Sequence, residues 1–231
     1  MDWLTAQEWA ALTLSLKVSL AATLLSLPLG ILVALALARG RFPGKVVLNG
    51  LVHLPLILPP VATGYILLLT FGRKGPVGRF LEETFGIVLA FRWTGAALAA
   101  AVMAFPLMVR AIRLSIEAVD PRIEEAASTL GASRVAVFLT ITLPLMLPGI
   151  LAGSILAFAK AMGEFGATIT FVSAIPGETE TLPSAIYSLL QVPGGDAAAL
   201  RLVMISVAVS VLALVASEVM AARTAHRIRG Q

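Results

Sequence analysis

The chain has 231 residues, of which 58% are hydrophobic and 13% charged, with no cysteine and a formal charge of +4. Soluble domains carry about 45–50% apolar and about 25% charged residues, so this surplus of apolar surface exceeds what a water-soluble core absorbs and directs the chain into lipid. The absence of cysteine excludes disulfides and thiolate metal sites, and membrane-surface anchoring accounts for the positive charge without nucleic acid.

A helix crosses a hydrocarbon core with about 20 mostly apolar residues. Five runs meet that length, at 11–38, 46–71, 93–108, 139–162 and 200–222. They lack the alternation of period two that barrel strands carry. The expected fold is an all-α integral membrane protein with about five transmembrane helices, in a single domain over 1–231 whose core spans about 11–222. The opening MDWLTAQEWAALTLSLK places Asp2 and Glu8 where a secretory signal carries basic residues, so the first run is expected to stay in the mature protein.

After the first run, GRFPGK (40–45) has part of the spacing of a phosphate-binding loop. It has three residues between the glycines where four are needed, and Val46 follows the lysine where Ser or Thr belongs. With no nucleotide site, any energy for transport comes from another subunit. In the second run, Pro55, Pro59 and Pro60 remove amide donors, so a continuous helix through LPLILPP is not expected. A broken helix in lipid persists only where protein or a water-filled cavity takes up its freed carbonyls. Pro59, Pro60, Thr63, Gly64 and Tyr65 are therefore candidates for a pathway lining or gate, the alternative being a kink that only shapes packing. His53, in the same run, reads as a hydrogen-bonded structural residue.

Lys and Arg collect on the cytoplasmic side of membrane proteins. Arg39, Arg41, Lys45, Arg110, Arg113, Arg122, Arg134, Arg223, Arg227 and Arg229 fall on one side, against Arg73, Lys74, Arg79, Arg92 and Arg201 on the other. This predicts an N-terminus outside and a C-terminus in the cytoplasm. Residues 110–138 are then cytoplasmic and read as a short helical pair. Asp120 is placed as an N-cap, Pro121 as the first helical residue, Glu124 and Glu125 in the first turn and Gly131 as the stop. Ala126, Ala127 and Ala132 give a small face that another surface can approach closely, although any connector between spans needs a capped, polar helix.

In the fourth run, Gly149 and Gly153 form a G-x-x-x-G step for close helix contact, within the chain or across a dimer. Lys160 and Glu164, four apart, share a helix face near its outer end. They are either functional charges facing a cavity or a mutually neutralising pair reaching for the interface. The stretch 163–199 holds too many Gly and Pro for another span and is too apolar for a plain loop, so a re-entrant or outer helical segment is expected, with PGETETLPSA exposed to an extracytoplasmic partner.

Glu125-Ala126-Ala127, three residues, Gly131, nine residues, Ile141, one residue and Leu143-Pro144 is similar, position for position, to the EAA motif of ABC importer permeases. HLPLILPPVATGYILLL (53–69), FPLMVRAIRLSIEAVD (105–120) and the stretch 141–195 extend the likeness, and the chain resembles the molybdate permeases of bacterial importers. The resemblance implies molybdate as cargo, with tungstate open beside it; sulfate and thiosulfate permeases share the EAA loop and much of the GEFGA region, and a permease for these or another oxyanion of the same family stands as the alternative. The resemblance implies a type I ABC importer permease fold in the bacterial inner membrane. It implies that 110–138 is a cytoplasmic coupling loop, with Glu124, Glu125, Ala126, Ala127 and Gly131 against the ATPase. It further implies a homodimer lining one pathway, two ATPase subunits that bind ATP and magnesium, a molybdate-binding protein outside, and no cofactor, metal site or enzymatic activity in this chain. A secondary transporter would show paired halves, and an intramembrane enzyme would need a convergent set of polar groups; neither is visible.

Overall fold

The structure, a computed structural model, describes residues 4–229; the side chains of 217, 218 and 220–229 lie outside the described set, among them Arg223, Arg227 and Arg229 of the orientation argument. Among the described residues every regular element is helical. Helix α1 (Ala6–Arg39) starts ahead of the expected apolar run because a capping box secures its first turn: the Glu8 amide donates to the Thr5 hydroxyl at 3.2 Å, and the Thr5 amide to the Glu8 carboxylate at 2.6 Å.

The second apolar run is not one straight span. It forms α2 (Lys45–Ile57) and α3 (Pro60–Phe71), whose axes bend by 115°. Pro59 and Pro60 supply no amide at the break, while the Leu58 amide closes α2 on the Leu54 carbonyl and the Ala62 and Thr63 amides open α3 on the Pro59 carbonyl. A short helix, α4 (Pro76–Phe85), precedes α5 (Trp93–Glu117), which runs nine residues beyond the expected end at 108. Its last turns hold because Val109, Ile112 and Ile116 are fully buried in the bundle, and Arg113 adds a pair with Glu117 at 2.7 Å and a contact with the Asn49 side chain at 3.1 Å. Residues 110–117, expected within the cytoplasmic loop 110–138, are therefore part of this helix. The loop carries α6 (Pro121–Thr129) and α7 (Arg134–Val137), and a π-turn (Phe138–Thr142) joins α7 to α8 (Leu143–Met162), so the fourth span is helical from 134 instead of 139. Two short helices, α9 (Gly166–Val172) and α10 (Leu182–Leu190), fill the breaker-rich segment before α11 (Asp196–Arg229).

Among the described residues four helices are long and apolar enough to cross a membrane, and the bent α2–α3 pair makes a fifth span if counted as one. α5 lies at the centre, with Ala96, Ala97, Ala99, Ala100 and Ala104 buried. Lipid tails are as apolar as leucine, so helices associate by close approach over small residues. A β-carbon added at Gly30 of α1 would lie 2.8 Å from Met108 of α5, and one at Gly149 of α8 would lie 2.1 Å from the β-carbon of Ser115. The G-x-x-x-G step thus serves packing inside the chain. α1 and α5 run parallel: at the start of both the Lys17 ammonium sits 3.7 Å over the Trp93 ring, and at the end of both Arg39 reaches the Ile116 carbonyl at 3.5 Å.

Candidate functional site

Two groups of predicted residues occupy different ends of the bundle. At the Arg39 end, α6 begins and ends as its sequence dictates. The Asp120 carboxylate accepts from the Arg122 amide at 2.9 Å and Pro121 is the first helical residue. At the other end the Ala132 amide donates to the Ala127 carbonyl at 3.1 Å and the Gly131 amide to the Ser128 carbonyl at 3.0 Å, with Gly131 at φ +90°. This is a Schellman stop, and it gives a physical reason for the Ala-x-x-x-Gly spacing: position 127 supplies the captured carbonyl and position 131 the left-handed backbone. Ser133 then caps α7.

α6 buries none of its residues. Glu125 and Ala126 are exposed, Ala127 is half-buried, and Leu130 at the tip is 89% exposed with Ile123 and Val135 also open. The helix thus presents small side chains and open apolar tips on its outer face. Sequence reading missed Leu130; its signal was a leucine between a polar helix and the Gly131 stop. Gly131→Ala is expected to cost about 1 kcal/mol through the left-handed backbone alone, because nothing lies within 4 Å of the added carbon. Limited proteolysis should then cut 128–134 several-fold faster while the melting point in detergent holds; unchanged cutting would show that the turn tolerates a side chain.

Glu124 is turned differently from Glu125. Its carboxylate is half-buried and takes both Arg39 guanidinium nitrogens, at 2.7 and 3.2 Å, together with the Thr142 hydroxyl at 2.6 Å. Its neighbours are therefore α1 and the π-turn of its own chain, and neither Arg39 nor Thr142 stood out in the sequence.

The second group gathers where α3 meets α9. A β-carbon at Gly64 would lie 2.5 Å from the Ala167 carbonyl oxygen, and one at Gly166 would lie 2.7 Å from Pro60, so the two helices interlock through reciprocal glycine contacts. Glu164 is 2% exposed, accepts from Lys160 at 2.5 Å and from the Ala167 amide at 3.0 Å, and so anchors the start of α9. The pair does not share one helix as expected: α8 ends at Met162, and the contact bridges the break after it. Proline break, glycine seam and ion pair, a hundred residues apart in sequence, thus form one structural unit. Within it Thr63 is buried and its hydroxyl has no hydrogen-bond partner, whereas Pro59, Pro60 and Tyr65 are exposed. His53 rests its Nδ1 2.9 Å from the Asn49 carbonyl, in keeping with a structural role.

At the Lys17 end, PGETETLPSA is not an exposed loop. Pro176–Glu178 face outward, but Thr179, Glu180, Thr181, Leu182, Ser184 and Ala185 are buried. The Thr179 hydroxyl accepts from the Ile175 amide at 2.9 Å and closes the turn, Gln7 donates to Glu180 at 3.0 Å, and the Leu182 amide donates to Ser15 at 2.6 Å. Arg201 reaches Glu8 at 2.8 Å, and Gln7, Glu8, Glu180 and Arg201 line a cavity of about 540 Å³. Arg201 of α11 thereby neutralises Glu8 of α1, and Glu180 accepts from the neutral Gln7 amide, where the segment folds back on the bundle.

The family described as binding-protein-dependent transport system inner membrane component matches residues 26–226. The chain belongs to this family. This inner-membrane component is 60% identical to the molybdenum transport system permease protein ModB of Escherichia coli (strain K12), over 93% of its own length and 94% of the relative. It is 52% identical to the protein of the same name from Haemophilus influenzae, over 96% of both chains. To the sulfate transport system permease protein CysT of Salmonella typhimurium it is 34% identical, over 100% of its own length and 85% of the relative. Among solved structures, a bacterial ABC transporter involved in the import of the acidic polysaccharide alginate superposes with a TM-score of 0.74 at 19% identity, covering 96% of this chain and 81% of that one. The expected importer-permease fold is the one observed.

Proposed function

We propose that the protein is the molybdate-translocating permease of an ATP-driven importer, working as one single-domain unit over 1–231. The observation that carries the cargo is the 60% identity, over nearly the whole chain, to a protein named for molybdenum transport, against 34% to one named for sulfate. α6 lies at the cytoplasmic end, the N-terminus outside and the C-terminus in the cytoplasm. The surface of Glu125, Ala126, Ala127, Leu130 and Gly131 docks into one of two ATPase subunits, which bind ATP and magnesium; this chain carries no cofactor or metal of its own. Two copies line one pathway between them, because an isologous pair is the commonest closed assembly of identical chains. A binding protein outside delivers the oxyanion.

Pro59, Pro60, Thr63, Gly64 and Tyr65, with Lys160 and Glu164, form the pathway wall and gate. Lys160 is already neutralised by Glu164, so the seam offers hydroxyls, glycine backbone and a broken helix end, and no free bidentate cation for a tetrahedral dianion. Weak contacts of this kind let cargo pass, and selectivity belongs to the binding protein. In proteoliposomes holding permease, ATPase and binding protein, labelled molybdate should be taken up on ATP addition and excess sulfate should compete poorly. Preferred uptake of sulfate would overturn the cargo, and submicromolar molybdate binding to the permease alone would overturn the weak wall.

A further inference from the structure

The Glu124 carboxylate joins two elements besides its own and, through Arg39, touches a third. Arg39 is the last residue of α1 and also touches the Ile116 carbonyl near the end of α5, while Thr142 is the last residue of the π-turn that opens α8. Thr142 behaves unlike its neighbours. Thr23, Thr70, Thr129 and Thr140 return their hydroxyls to carbonyls of their own helices. The buried Thr142 instead donates across the chain to Glu124. A π-turn adds a residue to a helical turn and rotates the helix beyond it, and here the hydroxyl at its end meets the carboxylate. With side-chain exposures of 35% for Arg39 and 20% for Glu124, the pair is not a freely solvated surface contact. Its two-point guanidinium geometry also fixes direction as well as distance. α6 has no buried residue to hold it otherwise.

We infer that Arg39, Glu124 and Thr142 form a clasp through which displacement of α6 is transmitted to α1 and α8. The inference rests on the reading that α6 docks on the ATPase, and it makes Glu124 a positioning residue acting from inside the permease and not part of the docking surface. Without the clasp, α6 would swing on its flanking turns, and ATPase closure would be absorbed there before reaching the spans that enclose the pathway.

The test uses the complete complex in proteoliposomes, with ATP hydrolysis, labelled molybdate uptake and a cross-link read together. The chain has no cysteine, so Leu130→Cys supplies a single attachment point for cross-linking to the ATPase. Glu124→Gln keeps the shape and loses the ion pair; Thr142→Val loses only the hydroxyl. Both should retain the cross-link and the hydrolysis rate while molybdate moved per ATP falls, by about tenfold for Glu124→Gln and less for Thr142→Val, within the usual range of coupling between sites. The exchange Arg39→Glu with Glu124→Arg should restore most of that ratio. An unchanged ratio in both single variants overturns the clasp, as does an exchange that restores nothing, or a cross-link lost while the ratio per bound ATPase stays normal. A cross-link absent already with Leu130→Cys alone would instead remove the docking reading beneath it.

Discussion

Gly149→Ala is expected to lower the melting midpoint of the detergent-purified protein by about 5 °C, the equivalent of roughly 2 kcal/mol for overpacking a chain of this size. Alanine is the better helix former, by about 1 kcal/mol over glycine, so propensity alone predicts the opposite sign. Sterics decide against it. The new methyl would lie 2.1 Å from the β-carbon of Ser115, which is fixed to the α5 backbone and cannot rotate away, so α5 and α8 must part. Removing the obstacle should reverse the loss: in Gly149→Ala with Ser115→Gly the nearest remaining atom is the Ala111 carbonyl oxygen at 3.1 Å, and only a long hydrogen bond from Ser115 to the Met146 carbonyl is given up. Recovery of most of the midpoint in the double variant is the expected result. A single variant as stable as the parent, or a double variant that recovers nothing, would show that this contact does not set the helix separation.

Glu164→Ala should be costlier than its distance from the α5–α8 contact suggests, at about 3 kcal/mol, the low end for breaking a buried ion pair, because Lys160 keeps part of its hydration. The carboxylate is 2% exposed and serves two partners at once, the Lys160 ammonium and the Ala167 amide that opens α9. Its loss leaves a cation without its neutralising partner and frees a helix start that packs on Gly64 and Pro60. Lys160→Met combined with Glu164→Gln should be milder than Glu164→Ala, since no unpaired charge remains and the amide oxygen can still accept from Ala167. A double-mutant cycle on thermal stability is expected to return a coupling above about 1 kcal/mol. A coupling of zero would mean two independent, solvated side chains and would detach the ion pair from the seam.

Hydrophobic run length and the breakers between runs carry most of what the chain determines locally. The five apolar runs, the interruption at Pro59-Pro60, the capped helix at Asp120-Pro121 and the stop at Gly131 all arise from backbone donors and φ preferences, which act over a few residues. The EAA spacing belongs to the same class, because a Schellman stop needs its captured carbonyl and its glycine four residues apart. Tertiary structure decided what depends on partners far away in the chain. α5 continues to Glu117, past the end of its apolar run, because Ile112 and Ile116 are buried in the bundle and Arg113 finds both Glu117 and Asn49; Thr179 to Leu182, Ser184 and Ala185 are buried where Gln7 and Ser15 of α1 meet the segment. Glu124 and Glu125 look equivalent on a helix drawn from sequence, yet one closes on Arg39 and Thr142 and the other faces solvent. Neighbouring side chains on a helix point about 100° apart, and only the packed α1 and α8 determine which of those directions meets a guanidinium.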